Sequence, residues 1–166
     1  MEKELNVLNF AMGMELEGQS FYDNYSKSVK NPTAKQLFED LSKMETAHYE
    51  YLKSQFENIS KGKPAEKPER DLGTPEIFNK RAEQQDVKSA SFETSTSDIS
   101  LLRMAYLIED DFMNFYKKAA DNVDDNGVRE MLLSLADWES GHRAALKKQY
   151  TAMFESNWNN MGFYPF

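Results

Sequence analysis

The segment KMETAHYE, residues 43–50, has a counterpart in DWESGHRA, residues 137–144. In each segment a glutamate precedes a histidine by three residues, so that Glu45 is followed by His48 and Glu139 by His142. The chain has no other histidine. Residues three apart lie on the same side of an α-helix, about one turn apart. Each segment therefore predicts a helix that presents a carboxylate and an imidazole to a common point.

The similarity between these segments extends along the chain. A shift of 94 positions also places Glu15 on Glu109 and Tyr22 on Tyr116. The pattern occurs twice, 94 residues apart, whereas short-period repeat proteins repeat every 20 to 50 residues or so. This long separation indicates an internal duplication of a helix pair. Two such pairs packed face to face would form a bundle with approximate two-fold symmetry.

Apolar residues at spacings of three and four predict four long helices, arranged as two pairs. The first pair covers residues 3–58 and is interrupted at Asn31-Pro32, where asparagine can cap and proline can open the second helix. The second pair covers residues 98–154, with a turn at 124–127. Short turns make the helices of each pair antiparallel.

A proline-containing linker, residues 59–97, separates the two pairs, and a tail with several aromatic residues follows at 155–166. The linker can form a short helix near residues 75–84, after Thr74-Pro75-Glu76. Its length suits a chain that must cross the whole bundle between helices 2 and 3. We therefore predict a single all-α domain over residues 1–166, folded as an antiparallel four-helix bundle with one long crossover.

Composition narrows the classes of function. Hydrophobic residues make up 40% of the chain and charged residues 29%, as in soluble globular domains. The net charge of −8 argues against nucleic acid as a partner, which requires clustered cations. The chain has no cysteine, which excludes disulfides, thiol nucleophiles and thiolate-ligated iron or zinc within it.

The chain's start and its hydropathy bear on location. The first residues, MEKELNVLNF, do not have the pattern of a signal peptide. No run of 18 apolar residues occurs, so we expect no membrane partner and a cytoplasmic location.

Each of the four apolar helix faces carries one glutamate near its middle: Glu15, Glu45, Glu109 and Glu139. A buried, unpaired carboxylate costs several kcal/mol, and four together also repel one another. No lysine or arginine lies on these faces. Two divalent cations would balance the four negative charges and leave both histidines neutral. Mixed nitrogen and oxygen ligands suit iron or manganese, so the pattern predicts a buried site for two metal ions with positions left for solvent or an oxygen species.

The sequence resembles the ferritin-like di-iron carboxylate superfamily, and within it the rubrerythrins, in the segments ELEGQSFY (15–22), METAHYE (44–50), EDDFMNFY (109–116) and WESGH (138–142). The resemblance implies a ferritin-like bundle and six metal ligands: Glu15, Glu45, His48, Glu109, Glu139 and His142. We expect Glu45 and Glu139 to bridge or chelate, Glu15 and Glu109 to be terminal, and each histidine to serve one metal. Tyr22 and Tyr116 match aromatic residues near the family's site, although buried tyrosines are also common as packing residues.

The resemblance implies a non-haem di-iron oxidoreductase that reacts with hydrogen peroxide or dioxygen and takes electrons from an external donor. Its cofactors would be two iron ions, with manganese or another divalent metal as alternatives. The sequence departs from the rubrerythrins in two respects. It has no cysteine-ligated iron domain, and Phe112 stands where they have an additional glutamate.

These departures favour an alternative function, which is iron binding, storage or sensing without turnover. A third interpretation, a bundle whose site has lost its function, predicts protein that purifies without metal. The duplicated helix pairs and the apolar tail also suggest a homodimer.

Overall fold

The computed structural model describes residues 1–68 and 96–160. Over these residues the chain forms four α-helices and no strand: α1 Glu2–Ser26, α2 Pro32–Ser60, α3 Thr96–Asn122 and α4 Asn126–Asn160. Helix α1 packs along α2, and α3 packs along α4. The Phe10 ring of α1 lies 5.1 Å from the Phe115 ring of α3, whereas Tyr22, later in α1, contacts Glu109, earlier in α3. Helices α1 and α3 are therefore antiparallel, and the predicted all-α four-helix bundle is confirmed.

The helix ends agree with the sequence prediction to within about two residues, except at the end of α4. That helix was expected to end near Phe154 but continues to Asn160. No glycine or proline interrupts residues 155–160, so the first part of the predicted tail extends the helix. The remainder of the tail and the short helix predicted near residues 75–84 lie outside the described residues.

Local capping explains two of the helix starts. The Asn31 side chain accepts a hydrogen bond from the Ala34 amide at 2.9 Å, and Pro32 is the first residue of α2, as the sequence predicted. At the start of α4, Asp125 Oδ1 accepts from the Val128 amide at 2.9 Å. In both cases a side-chain oxygen satisfies an amide that has no partner within its helix.

Two acidic residues link the helix pairs at opposite ends of the bundle. Asp98, in the first turn of α3, accepts hydrogen bonds from the amides of Lys30 and Asn31, at 3.0 and 2.8 Å, in the turn between α1 and α2. Glu4, in the first turn of α1, accepts from the amide of Asp124, at 3.4 Å, in the turn between α3 and α4. Both carboxylates are buried. Each helix pair therefore supplies an acid that binds the turn of the other pair.

The apolar core divides into two clusters. One contains Leu8 of α1 and Leu52 of α2 together with the end of α3 and the start of α4. The other contains Tyr22 of α1 and Phe38 of α2 together with the start of α3 and the end of α4. The middle of every helix lies between the two clusters, and the predicted metal ligands occupy these middle positions.

The chain leaves α2 along a defined path as far as residue 68. The Gln55 side chain accepts a hydrogen bond from the Glu66 amide at 2.8 Å, and Tyr51 donates its hydroxyl to the Glu66 carbonyl at 2.7 Å. Lys67 forms an exposed ion pair with Glu130 of α4 at 2.8 Å. The segment after α2 therefore turns toward α4, as a crossover requires. No helix among the described residues is long and apolar enough to cross a membrane.

Candidate metal centre

The structure brings the six residues predicted from the sequence together in the middle of the bundle. All six side chains are 0% exposed: Glu15, Glu45, His48, Glu109, Glu139 and His142. One glutamate comes from α1 and one from α3, while α2 and α4 each contribute a glutamate and a histidine. The spacing of three residues therefore directs both side chains of each pair inward, as the sequence predicted.

The first half of the cluster is organised around His48. Its Nδ1 atom lies 3.5 Å from Glu15 Oε2, 3.3 Å from Glu45 Oε2 and 3.2 Å from Glu139 Oε1. One nitrogen and three carboxylate oxygens thus converge on one region, and they come from three helices: α1, α2 and α4. We call these four residues the His48 half-site.

The second half repeats the first around His142. Its Nδ1 atom lies 3.3 Å from Glu45 Oε1, 3.3 Å from Glu109 Oε2 and 3.0 Å from Glu139 Oε2. We call these four residues the His142 half-site. Glu45 and Glu139 belong to both half-sites, and each turns one oxygen toward each histidine. This is the arrangement that two carboxylates need in order to serve two cations together.

The distances fit ligands of a metal ion. Ligand atoms about 2.1 Å from a cation, at tetrahedral or octahedral angles, lie about 3.0 to 3.4 Å from one another. Ligand atoms of Glu45, His48, Glu139 and His142 all lie within 4.8 Å of one another, and this group can hold a metal ion. Among the described residues, no hydrogen-bond donor satisfies either oxygen of Glu45 or Glu139. Buried oxygens of this kind need a cation or a proton.

Each terminal glutamate is fixed by a tyrosine of the other helix pair. The Tyr22 hydroxyl of α1 donates to Glu109 Oε1 of α3, and the Tyr116 hydroxyl of α3 donates to Glu15 Oε1 of α1. In both glutamates the other oxygen, Oε2, is the one that faces a histidine. The tyrosines therefore act at the site through hydrogen bonds, and they also belong to the apolar core.

Without a cation, the terminal glutamates favour the protonated state. Burial raises the pKa of Glu15 well above its ordinary value, and repulsion by Glu139 and Glu45 adds to the rise. Burial likewise raises the pKa of Glu109, and Glu45 again adds to it. Desolvation disfavours a charged carboxylate, and neighbouring negative charges disfavour it further.

The two shared glutamates and the histidines favour their charged states. Burial acts to raise the pKa of Glu45, but its contacts with Glu15 and the two histidines lower it overall. Burial and Glu45 act to raise the pKa of Glu139, and the two histidines lower it. Burial acts to lower the pKa of each histidine, but the surrounding carboxylates raise it well above the ordinary value. Two imidazolium ions thus balance two carboxylates in the metal-free cluster.

A family model described as the ferritin-like domain matches residues 3–152. The chain belongs to the ferritin-like domain family. Among solved structures, a hypothetical protein from Pyrococcus furiosus is 22% identical, with a TM-score of 0.67, over 92% of this chain and 90% of that chain. At that identity the likeness shows the fold alone. No curated protein is significantly similar to the sequence.

Trp138 contacts the site of this ferritin-like protein, and the sequence interpretation did not select it. Its ring stacks on His48, with centroids 5.0 Å apart and planes 19° from parallel. On the other side, the His48 ring stacks on His142 at 5.2 Å and 8°. A metal-binding histidine usually donates its other ring N–H to an acceptor, but the described residues provide none for His48 Nε2. Stacking therefore fixes this ring.

A signal for Trp138 is present in the two similar segments 43–50 and 137–144. The residue before Glu139 is tryptophan, whereas the residue before Glu45 is Met44. The duplication is thus broken beside the predicted metal ligands, and a comparison of the two halves shows this difference. The direction of the ring toward His48, however, follows from helix packing.

Phe112 also breaks the two-fold symmetry of the ferritin-like bundle. Its counterpart under the 94-residue shift is Gly18. A Cβ atom at Gly18 would lie 3.0 Å from Phe112 Cε2 and 3.5 Å from Glu45 Cγ. The aromatic ring thus fills the space that a side chain on α1 would need, and the side chain of Glu45 borders the same space.

Three acidic residues lie close to the predicted ligands in sequence: Glu17, Asp110 and Asp111. Glu17 and Asp111 are exposed. Asp110 is only half exposed, and Arg143 Nε lies 2.7 Å from its Oδ1. The same arginine donates to the Tyr106 hydroxyl at 3.0 Å. Asp110 therefore joins α3 to α4 outside the site.

Proposed function

We propose that this ferritin-like protein is a non-haem di-iron oxidoreductase of the rubrerythrin type, which reacts with hydrogen peroxide or dioxygen. The supporting observation is the division of the cluster into two half-sites that share Glu45 and Glu139, each through both oxygens. A single cation would leave one histidine and one terminal carboxylate without a metal. Two divalent cations would neutralise the four carboxylates, and nitrogen–oxygen ligation favours iron or manganese.

In this proposal all six residues are metal ligands and act in catalysis through the metals: Glu15, Glu45, His48, Glu109, Glu139 and His142. Glu15 and His48 would hold one ion, Glu109 and His142 the other, and the two shared glutamates would bridge the pair. When bound, two ferrous ions supply the two electrons that reduce hydrogen peroxide to two water molecules.

The surrounding residues would set the conditions for that chemistry. Full burial of the ligands excludes bulk water from the cluster. Burial raises the pKa of Tyr22 and Tyr116 well above the ordinary value, and their glutamate partners add to the rise. Both hydroxyls therefore keep their protons at neutral pH and hold one oxygen of each terminal glutamate, while the other oxygen remains for the metal.

Anaerobic loading with ferrous iron, followed by one equivalent of peroxide, tests the proposal. The parent protein should bind two ferrous ions per chain and oxidise both in a single rapid phase. In Glu45→Ala, both half-sites lose a ligand, so oxidation should slow by roughly a hundredfold or more. Glu50→Ala, an exposed position on the same helix, serves as the control. Equal oxidation rates in the parent and Glu45→Ala would refute the proposal.

Iron binding without turnover is the second candidate. It is supported by Phe112, a buried ring that supplies no ligand beside Glu45, and by the full burial of the six residues. Steady-state consumption of peroxide with excess reductant separates the two functions. Repeated turnover supports the oxidoreductase, whereas one stoichiometric oxidation followed by no further consumption supports a binding, storage or sensing role.

A further inference from the structure

The buried site raises the question of how electrons reach it. All six proposed ligands are fully buried, so a reductant at the protein surface cannot touch them. The 166 residues contain no cysteine and therefore hold no thiolate-ligated iron centre. Electrons must cross several ångströms of protein, and the side chains that are readily oxidised by one electron are tryptophan and tyrosine.

One series of such rings leads from the site to the surface. Trp138 stacks on His48 at 5.0 Å, and the Tyr51 ring lies 6.0 Å from Trp138 in an edge-on contact. Trp138 is buried, whereas Tyr51 is only partly so. The Tyr51 hydroxyl donates to the carbonyl of the exposed residue Glu66. The series therefore ends where solvent or a small reductant can reach it.

Two other aromatic series approach the site, but both contain phenylalanine. Tyr22 contacts Phe21, which contacts the exposed Tyr25. Tyr116 contacts Phe115, which contacts the exposed Phe10. A phenylalanine ring is too difficult to oxidise to carry a charge. Of these three series, only the one through Trp138 consists of oxidisable rings from the histidine ligand to the surface.

The duplication shows that this series is specific to one half of the chain. Under the shift of 94 residues, Trp138 corresponds to Met44 and Tyr51 to Ala145. The ligands and the two hydrogen-bonded tyrosines are retained in both halves, yet neither oxidisable ring has an aromatic counterpart. If Trp138 and Tyr51 served only to pack the core, we would not expect both of them to differ from their counterparts in the other half of the chain.

We propose that Trp138 and Tyr51 carry single electrons from a reductant at the surface to the His48 half-site while peroxide, the oxidant, reacts there. This inference rests on the proposed di-iron function. Trp138 loses one electron to the site and regains one from Tyr51, which loses its phenolic proton to solvent at the same time. A one-electron reductant such as ascorbate returns a hydrogen atom to Tyr51. Two such transfers and two protons balance the reduction of one hydrogen peroxide to two waters.

The decisive experiment uses protein loaded with one ferrous ion per chain, without added reductant, mixed with one equivalent of peroxide and freeze-quenched for electron paramagnetic resonance. A single ferrous ion supplies one electron when it becomes ferric, and we expect the protein to supply the second. We expect a tyrosyl radical in the parent. Tyr51→Phe should give a tryptophan radical instead, and Trp138→Phe should give neither. Tyr25→Phe, at the end of an interrupted series, should give the parent signal.

Further measurements distinguish loss of electron transfer in Trp138→Phe from a disturbance of the fold. Trp138→Tyr, which keeps an oxidisable ring, should recover the radical that Trp138→Phe loses. Peroxide consumption with ascorbate should fall roughly tenfold in Trp138→Phe, or about 1.4 kcal/mol in the barrier, while ferrous binding stays at the parent stoichiometry. Iron oxidation with an unchanged radical in Trp138→Phe would overturn this inference alone. If peroxide oxidises no iron in the parent, the proposed function fails and this inference fails with it.

Discussion

Loading the metal-free site with two divalent cations should release four protons per chain. In the metal-free cluster, Glu15 and Glu109 have raised pKa values and hold protons. His48 and His142 also have raised pKa values and are cationic. Metal ligation requires carboxylates and neutral imidazoles, so each of these four groups must give up its proton. The cluster is neutral both with its four protons and with two divalent cations in their place. Metal binding therefore does not change the net charge of the buried site.

The number of protons released determines how strongly the metal affinity depends on pH. Each released proton makes binding more favourable by about 1.4 kcal/mol per pH unit. Four protons amount to about 5.4 kcal/mol per pH unit for the pair of cations, or about two log units in apparent affinity for each cation. This dependence holds over the pH range in which the four groups keep their protons in the metal-free protein.

Calorimetric titration with manganese(II) at pH 6, in two buffers with different ionisation enthalpies, measures the number of protons directly. The parent should release about four for two manganese ions. Glu15→Gln, which carries no proton at that position, should release one fewer, and exposed Glu50→Gln should match the parent. Release of one proton or none for the pair would refute the assignment of charges in the metal-free cluster.

Other predictions concern stability. The raised histidine pKa values stabilise the metal-free fold fully below about pH 6.5, and this contribution is lost as the pH rises toward the folded pKa. The Tm of the metal-free protein should therefore fall between about pH 6 and 8. Bound manganese should remove this fall. Gly18→Ala should be about 1–3 kcal/mol less stable than Gly13→Ala in urea, because the new Cβ meets Phe112 at one position and nothing within 4 Å at the other. Equal stabilities would contradict that packing. Asp98→Ala should lose about 1–3 kcal/mol, because two backbone amides lose their acceptor; an unchanged urea midpoint would show that water replaces it. Tyr22→Phe should weaken binding of the second manganese ion more than the first, since Glu109 serves one half-site only.

Much of this architecture could be predicted because the sequence repeats its own pattern. Glu45 and His48 share a helix face with apolar neighbours, and the same spacing recurs at Glu139 and His142, so the convergence of four helices followed from the need to neutralise buried charge. Local chemistry also fixed the start of α2, where Asn31 caps the first turn.

Other features depend on contacts between segments far apart in the chain. The tyrosine at position 22 was predicted near the site, but its choice of Glu109 rather than Glu15 depends on how α1 and α3 face each other. The stacking of Trp138 on His48 likewise depends on the rotation of α4 against α2. The hydrogen bonds of Asp98 to the turn before α2 also depend on how the two helix pairs pack, which its position in the sequence does not specify. Sequence spacing specifies a helix face but not the partner across the bundle.

The exchange of hydrogen bonds between the two helix pairs has a consequence for how such a protein can arise. Tyr22 and Glu4 of the first pair satisfy groups of the second, and Tyr116 and Asp98 of the second satisfy groups of the first. A single ancestral helix pair would have contained both the donor and the acceptor of each of these hydrogen bonds. Two identical copies could then have formed all of them by associating as a dimer. Gene duplication and fusion would then have freed the two copies to diverge, and cleaving the linker should still leave fragments that reassemble.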